Sequence, residues 1–306
     1  MSQKALILEK AKSPFVLSSI PIPKPGAIQA HDIILNVKYP TILGLDVAGD
    51  VEEVREGVEE YVKGDRVFFS ADYSMAHGGL QQYTLKSVSD PDIAKIPPHI
   101  SYNEAATIPL TFATAVIPLL SVNPIGAGLN PTSDSKVNFN GEAALVIGGG
   151  TSVGQFAVQI YKYLGFSTII TYTSLKHSDY LKSLVLRLSP PCVASIMVEG
   201  AMEAGYACLA HGGQMATASP APPKPDDAEA TGKKIYGVLA SVNIEPNKEF
   251  GKELWKNLPR LVKEGIIKPN RIEMLTGLTA VPNALPRFMN GGVSGVKLIV
   301  NPQDTV

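Results

Sequence analysis

Hydrophobic and polar positions change rhythm near residue 100. Before it, short β-type runs alternate with turns: KALILE (4–9) and DIILNV (32–37) read as strands, and the proline-rich SSIPIPKPG (18–26) punctuates between them. Glycines at 44, 49, 57 and 64 divide the Val-rich stretch TILGLDVAGDVEEVREGVEEYVKGDRVFF. Glycine at such spacing marks the corners and bulges of a compact, strongly bent barrel. A small β-rich domain is expected whatever the function.

After residue 100 the period lengthens. SYNEAATIPLTFATAVIPLL (101–120) reads as helix, with Ser101 as N-cap and Glu104 at the capping-box spacing. A loop rich in Gly, Pro, Asn and Ser (123–141) follows. Then come EAALVIGGG, TSVGQFAVQIYKYLG and FSTIITYTS, a strand, a turn into a helix, and a strand. Val153, Ala157, Ile160 and Leu164 fall on one helical face. This alternation implies a parallel sheet with crossover helices. Further on, 219–234 reads as a polar, proline-rich loop, 252–265 as a helix ending at Gly265, and KLIVNP (297–302) as a strand. No internal repeat is visible.

Composition narrows the class. With 45% hydrophobic and 18% charged residues the chain is an ordinary globular sequence, not a disordered one. Its 27 basic and 28 acidic residues leave a net charge of −1, which gives no field to draw nucleic acid or an anionic membrane. Two cysteines, Cys192 and Cys208, make no disulfide framework and fit a reducing compartment. The start MSQKALILEKAKSPF lacks a signal-peptide core, and no run is read as reaching transmembrane length, so a cytoplasmic protein is expected.

The sharpest local signal is Val146-Ile147-Gly148-Gly149-Gly150-Thr151-Ser152-Val153-Gly154. An apolar strand runs into glycines and a helix opens behind them, the arrangement that sets backbone N–H groups around a pyrophosphate at a positive helix end. The strict G-x-G-x-x-G spacing fails, since Val153 stands three after Gly150. Gly150 is expected to lie where a β-carbon would displace the pyrophosphate and where positive φ is needed. An acid about 20 residues beyond the glycines would bind the ribose hydroxyl of NAD. Here the second strand ends Tyr172-Thr173-Ser174-Leu175-Lys176-His177, with no acid until Asp179. A hydroxyl and a cation suit a 2′-phosphate, which favours NADPH.

Beyond these residues the chain resembles a known family. Gly44-Leu45-Asp46-Val47-Ala48-Gly49, Gly57 and Gly64-Asp65-Arg66-Val67 look like the N-terminal domain of medium-chain dehydrogenases/reductases. Glu104-Ala105-Ala106-Thr107 with Thr114-Ala115, the turn at 148–154, and Ser294-Gly295-Val296-Lys297-Leu298-Ile299-Val300 fit the same family. The resemblance is closest to its zinc-free, fungal enoyl-reductase-like branch, which includes enoyl reductases serving polyketide synthases in trans. It implies an α/β fold: a GroES-like β-rich barrel domain over 1–115, completed by 266–306, and a Rossmann-type doubly wound parallel-sheet domain over 116–265. It also implies cofactor contacts from Thr114, Gly149, Gly150, Thr151, Ser152, Val153, Ser174, Lys176, Tyr180 and Lys297. The family carries longer stretches between Asn36 and Tyr39 and between Leu184 and Glu199 than this chain does.

Zinc is addressed by residue chemistry. Zinc-dependent members carry G-H-E-x-x-G with the histidine as a catalytic ligand, and Leu45 stands there. An isobutyl group has no lone pair to give a metal. Residues 1–191 hold no cysteine for a structural site, and the histidines at 31, 77, 99, 177 and 211 show no ligand-like pairing. No metal is expected. The resemblance then implies hydride transfer from NADPH to the β-carbon of an enone or enoyl thioester, with an acyl carrier of a polyketide synthase as a partner to consider. Tyr73 and Tyr83 are noted as donors, but no proton donor is assigned. An NADPH quinone reductase and a catalytically silent NADPH-binding protein remain as alternatives.

Overall fold

The computed structural model describes residues 1–24, 38–184, 201–218, 225–237, 241–243, 245 and 247–306. The expected strand at 32–37 and the core of both shortened stretches lie outside the described residues. The first strands are β1 (Ser2–Leu8), β2 (Phe15–Pro21), β3 (Thr41–Ile42), β4 (Asp46–Asp50), β5 (Arg66–Ser70) and β6 (Ile93–Lys95). Helices α1 (Tyr102–Ala105) and α2 (Pro109–Leu120) lead into β7 (Ala143–Ile147), α3 (Ser152–Tyr163) and β8 (Thr168–Tyr172). Next are α4 (Ser178–Leu184), α5 (Ala201–Ala207), β9 (Gln214–Thr217), α6 (Ala228–Thr231) and β10 (Lys234–Gly237). The chain finishes with α7 (Lys248–Lys263), β11 (Ile272–Leu275), α8 (Val281–Met289) and β12 (Lys297–Val300). Two compact units result: Met1–Leu110, Leu254–Lys263 and Pro269–Val306 form the first, and Thr111–Glu253 with Glu264–Lys268 form the second.

In the first unit β1 is covered on both faces. Ala5 and Ile7 pack with Ile42, while Leu6 turns the other way onto Leu278 and Val281. This is the period-2 alternation of a strand with an apolar layer on each side. The strands form three small sheets, β2-β1-β3, β4-β5-β6 and the parallel pair β11-β12. Among the described residues these sheets do not close into a barrel, and the strand expected at 32–37 lies outside them. Beside β1 the ladder is continued by glutamine side chains. Gln3 Nε2 donates to Gln81 Oε1 at 2.9 Å, Tyr83 N donates to Gln3 Oε1 at 2.6 Å, and Lys4 N donates to Gln82 Oε1 at 2.8 Å.

The helix expected over 101–120 is present but broken. Ser101 accepts from Glu104 N and the Glu104 carboxylate accepts from Ser101 N, a complete capping box. Pro109 lacks an N–H and disfavours helical geometry at Ile108, so α1 stops and α2 begins anew. The run Tyr102–Leu120 is, by length and composition alone, apolar enough to cross a membrane, which the sequence reading excluded; 67% of it is buried inside the fold.

In the second unit β7 and β8 are parallel and in register from Ala143 opposite Thr168 to Ile147 opposite Tyr172. Helix α3 connects them, and Val146, Val158 and Ile169 form the core beneath it. The expected apolar face is only partly the buried one. Ile160 and Leu164 are buried, but Val153 and Ala157 are half-exposed while Phe156 and Val158 are fully covered. The helix is enclosed on more than one side, so a single stripe does not describe it. A second parallel pair, β9 and β10, stands separately, and residues 228–231 form a helical turn where the sequence suggested only loop. Helix α7 ends as expected, with Gly265 in the left-handed region at φ 68°.

Candidate functional site

Strand β7 runs straight into the glycine turn. Gly148, at φ 91°, is the residue that needs left-handed freedom. Its N–H donates to Tyr172 O at 2.8 Å as a last rung of the β7–β8 ladder, and its carbonyl accepts from Thr151 N at 2.9 Å. Thr151 then caps α3: its Oγ1 accepts from Gly154 N at 3.0 Å, and its hydroxyl donates to Gly148 O at 2.8 Å. The N–H groups of Gly149, Gly150 and Val153 have no acceptor among the described residues. Open amides at the positive end of a helix form a preorganised anion cradle, so these residues fit the diphosphate of a nicotinamide dinucleotide.

The glycines serve a purpose the sequence reading assigned differently. A β-carbon on Gly150 would lie 2.6 Å from Thr173 Oγ1 and 2.8 Å from His177 Cδ2, and one on Gly149 would lie 2.9 Å from Thr171 Cβ. Gly150 is needed because protein closes against its α-carbon, and its φ is not in the left-handed region. Gly154 is the tightest: an added β-carbon would sit 2.1 Å from Gly148 O. This is the close helix–turn packing that a third glycine permits in dinucleotide-binding turns.

The other expected site residues of this unit fall on α2, α3, the segment after β8, and α4. Ser152 and Val153 sit half-buried in the first turn of α3. Ser174 and Lys176 are exposed just beyond β8, where Ser174 precedes a 3₁₀ turn without capping it. The first acid, Asp179, is exposed and lies 3.6 Å from Lys182. Thr114 is half-buried on α2. The Tyr180 hydroxyl donates to Gln155 Oε1 at 2.9 Å, and Gln155 Nε2 donates to Gly150 O at 3.0 Å, so Tyr180 steadies the turn through Gln155. Sequence reasoning missed Gln155. Its signal was an amide among apolar neighbours in α3, and it is completely buried.

Lys297 belongs to the first unit and has a firm partner there. Its ammonium contacts Asp46 Oδ2 at 2.5 Å and donates to Thr107 O at 3.4 Å. Asp46 Oδ1 accepts from Leu110 N at 2.7 Å, so one carboxylate ties β4, the start of α2 and β12. Asp46 was quoted in the family motif but given no role, since only the fold shows what faces it.

Elsewhere in the first unit the loop after β5 carries an imidazole–carboxylate pair, with His77 Nδ1 2.9 Å from Asp72 Oδ2. Burial alone would raise Asp72, but hydrogen bonds from His77 and Ser74 and the charges of His77 and Lys86 hold its carboxyl below the ordinary value. Tyr73, expected as a candidate donor, is pushed up by burial and by the charge of Asp46. Among the described residues no group of three or more His, Cys, Asp or Glu is arranged to hold a metal ion.

These features define the class: a GroES-like unit and a Rossmann-type nucleotide-binding unit in one chain. Residues 25–98 match the alcohol dehydrogenase GroES-like domain. The dehydrogenase azaJ of Aspergillus niger is 30% identical over 301 residues, covering 86% of this chain and 83% of that protein. The trans-enoyl reductase tndF of Aspergillus flavipes is 30% identical over 351 residues, covering 97% and 98%. That alignment is longer than the 306 residues of this chain, so the relative carries internal residues that are absent here. The human synaptic vesicle membrane protein VAT-1 homolog-like protein superposes with a TM-score of 0.72 at 20% identity over 100% of both chains. The chain belongs to the medium-chain dehydrogenase/reductase superfamily.

Proposed function

We propose that this protein is an NADPH-dependent, zinc-independent reductase of conjugated carbon–carbon double bonds, acting on an α,β-unsaturated carbonyl compound or enoyl thioester. The observation that carries the reading is the turn at 148–154, with its open amides at the start of α3 and no acid near the end of β8. The amides of Gly149, Gly150 and Val153 hold the diphosphate. Ser174 and Lys176 take the 2′-phosphate through a hydrogen bond and a charge, where NAD would require a carboxylate. Thr114, Thr151, Ser152 and Tyr180 frame the same site.

When bound, the reduced nicotinamide supplies a hydride. Leu45 provides no ligand for a Lewis acid that would polarise an isolated ketone. A conjugated acceptor needs less polarisation, because the charge arriving at the β-carbon delocalises onto oxygen as an enolate. The near full-length likeness to a trans-enoyl reductase supports this choice; we extend it to a thioester presented by an acyl carrier.

The test is consumption of NADPH, followed by loss of the reduced-nicotinamide absorbance, with an enone, an enoyl thioester and a quinone. Turnover of the first two with NADPH preferred over NADH is the expected result. Tight NADPH binding without enone or thioester turnover would refute it.

A further inference from the structure

Gly150 stands just before the cap of α3, so its carbonyl lies outside the helical ladder. The first ladder acceptor is Thr151 O, which takes Gln155 N at 2.9 Å. Gly150 is nonetheless buried, and a buried carbonyl needs a donor. The Gln155 side chain supplies it by folding back along the helix, with Nε2 3.0 Å from Gly150 O. Gln155 is itself completely buried, so water does not compete for this bond.

Hydrogen-bond chemistry then fixes the direction of the relay. A carbonyl oxygen accepts and never donates, so the Gln155 amide must turn its NH₂ group to Gly150. Its Oε1 is left facing Tyr180, and an amide oxygen also only accepts. The proton in the 2.9 Å contact between Tyr180 and Gln155 therefore comes from the Tyr180 hydroxyl. A phenol has one proton. With that proton turned inward, Tyr180 offers a ribose 2′-phosphate only lone pairs, and phosphate oxygens call for donors. Ser174 and Lys176, exposed beyond β8, carry such donors.

We infer that Tyr180 and Gln155 are positioning residues of the diphosphate cradle, and that Tyr180 takes no part in reading the 2′-phosphate. This deepens the proposed function and rests on its nucleotide-binding part. All the residues concerned belong to the second unit. The amide and carbonyl of Gly150 hang from one α-carbon with no side chain to stiffen it. Held inward by Gln155, the carbonyl leaves the amide facing the anion. A buried carbonyl deprived of its donor turns toward water, and here that brings the negative end of its dipole toward the cradle. Tyr180 acts one step further back, giving Gln155 Oε1 the proton that keeps the amide in this orientation.

Three ligands separate positioning from reading. NADH lacks the 2′-phosphate, adenosine 2′-phosphate lacks the diphosphate, and NADPH has both. In titrations of the intact protein, Tyr180→Phe is expected to weaken NADPH and NADH by the same factor, about threefold to tenfold. Adenosine 2′-phosphate should bind as to the wild type. Gln155→Met should show the same pattern, and adding Tyr180→Phe to it should cost no more than about twofold further, since the bond is already gone. Tyr180→Phe removes one oxygen from a half-buried side chain, so the test stands even where Gln155→Met fails to fold. Weakening of NADPH and adenosine 2′-phosphate with NADH unchanged would make Tyr180 a reader of the 2′-phosphate and overturn the assignment. Unchanged binding of all three ligands, or equal weakening of all three, overturns it too. Failure of the nucleotide reading is seen separately, as wild-type protein that binds neither NADPH nor NADH.

Discussion

Gly154→Ala is the smallest change that should damage the nucleotide-binding turn. The added methyl carbon would start 2.1 Å from Gly148 O, 2.7 Å from Gly148 C and 2.8 Å from Gly149 Cα. All three are backbone atoms of the turn, so no side chain can rotate away. Relief requires the start of α3 to retreat by about 1 Å, and overpacking of this kind costs roughly 1–3 kcal/mol. The same retreat stretches the 3.0 Å bond from Gly154 N to Thr151 Oγ1, and loss of an N-cap costs about 1 kcal/mol. Together about 3 kcal/mol is expected, and at roughly 2–4 °C per kcal/mol the unfolding midpoint should fall by about 6–12 °C. Gly49→Ala serves as control, because a β-carbon there meets nothing within 4 Å and its φ is not left-handed. Thermal unfolding without ligand, followed by circular dichroism, compares the two variants, and an NADPH titration reports the displaced amides. If Gly154→Ala melts within 1 °C of the parent and binds NADPH equally well, the packing argument for this turn is wrong.

Three further outcomes are expected. Lys176→Ala should weaken NADPH about tenfold while leaving NADH nearly unchanged, read by parallel titrations; equal weakening would remove the 2′-phosphate assignment. Asp46→Asn should destabilise the protein by about 1–3 kcal/mol in a denaturant titration, because Lys297 would keep its charge in a largely covered position; adding Lys297→Met should recover part of that loss. Chelators should leave turnover unchanged and elemental analysis should find no stoichiometric zinc, given Leu45 at the ligand position.

Local signals were legible where chain neighbours alone decide the structure. The Ser101 capping box, the Gly265 stop of α7 and the strand–turn–helix–strand over 142–174 could all be read because each depends on residues a few positions apart. What the sequence concealed was decided by distant partners. Gly150 stood out in the sequence for room it would leave a pyrophosphate, whereas the fold shows Thr173 and His177 approaching it from the end of β8 and beyond. Gln155 looked like a polar interruption of a helix until Gly150 O and Tyr180 supplied its partners. Glycines at 44, 49, 57 and 64 marked corners, but spacing alone could not say which edges meet; among the described residues the unit's strands fall into three small sheets.

The way Leu6 is covered bears on how the chain can fold as it is made. One face of its strand is covered by Phe15, Leu17 and Leu80 but also by Leu278, Val281 and Val300, made about 270 positions later or more. Lys297 likewise reaches Asp46 across 251 positions. Contacts of such separation form slowly. On the ribosome the second unit, mostly the contiguous stretch Thr111–Glu253, has its residues available while the first lacks its closing segments. A nascent or C-terminally clipped chain lacking β12 would thus carry a folded nucleotide-binding half beside an open, apolar β1. Such a species is a substrate for chaperones and proteases, so a truncation that removes Lys297–Val300 should be as damaging as one much earlier.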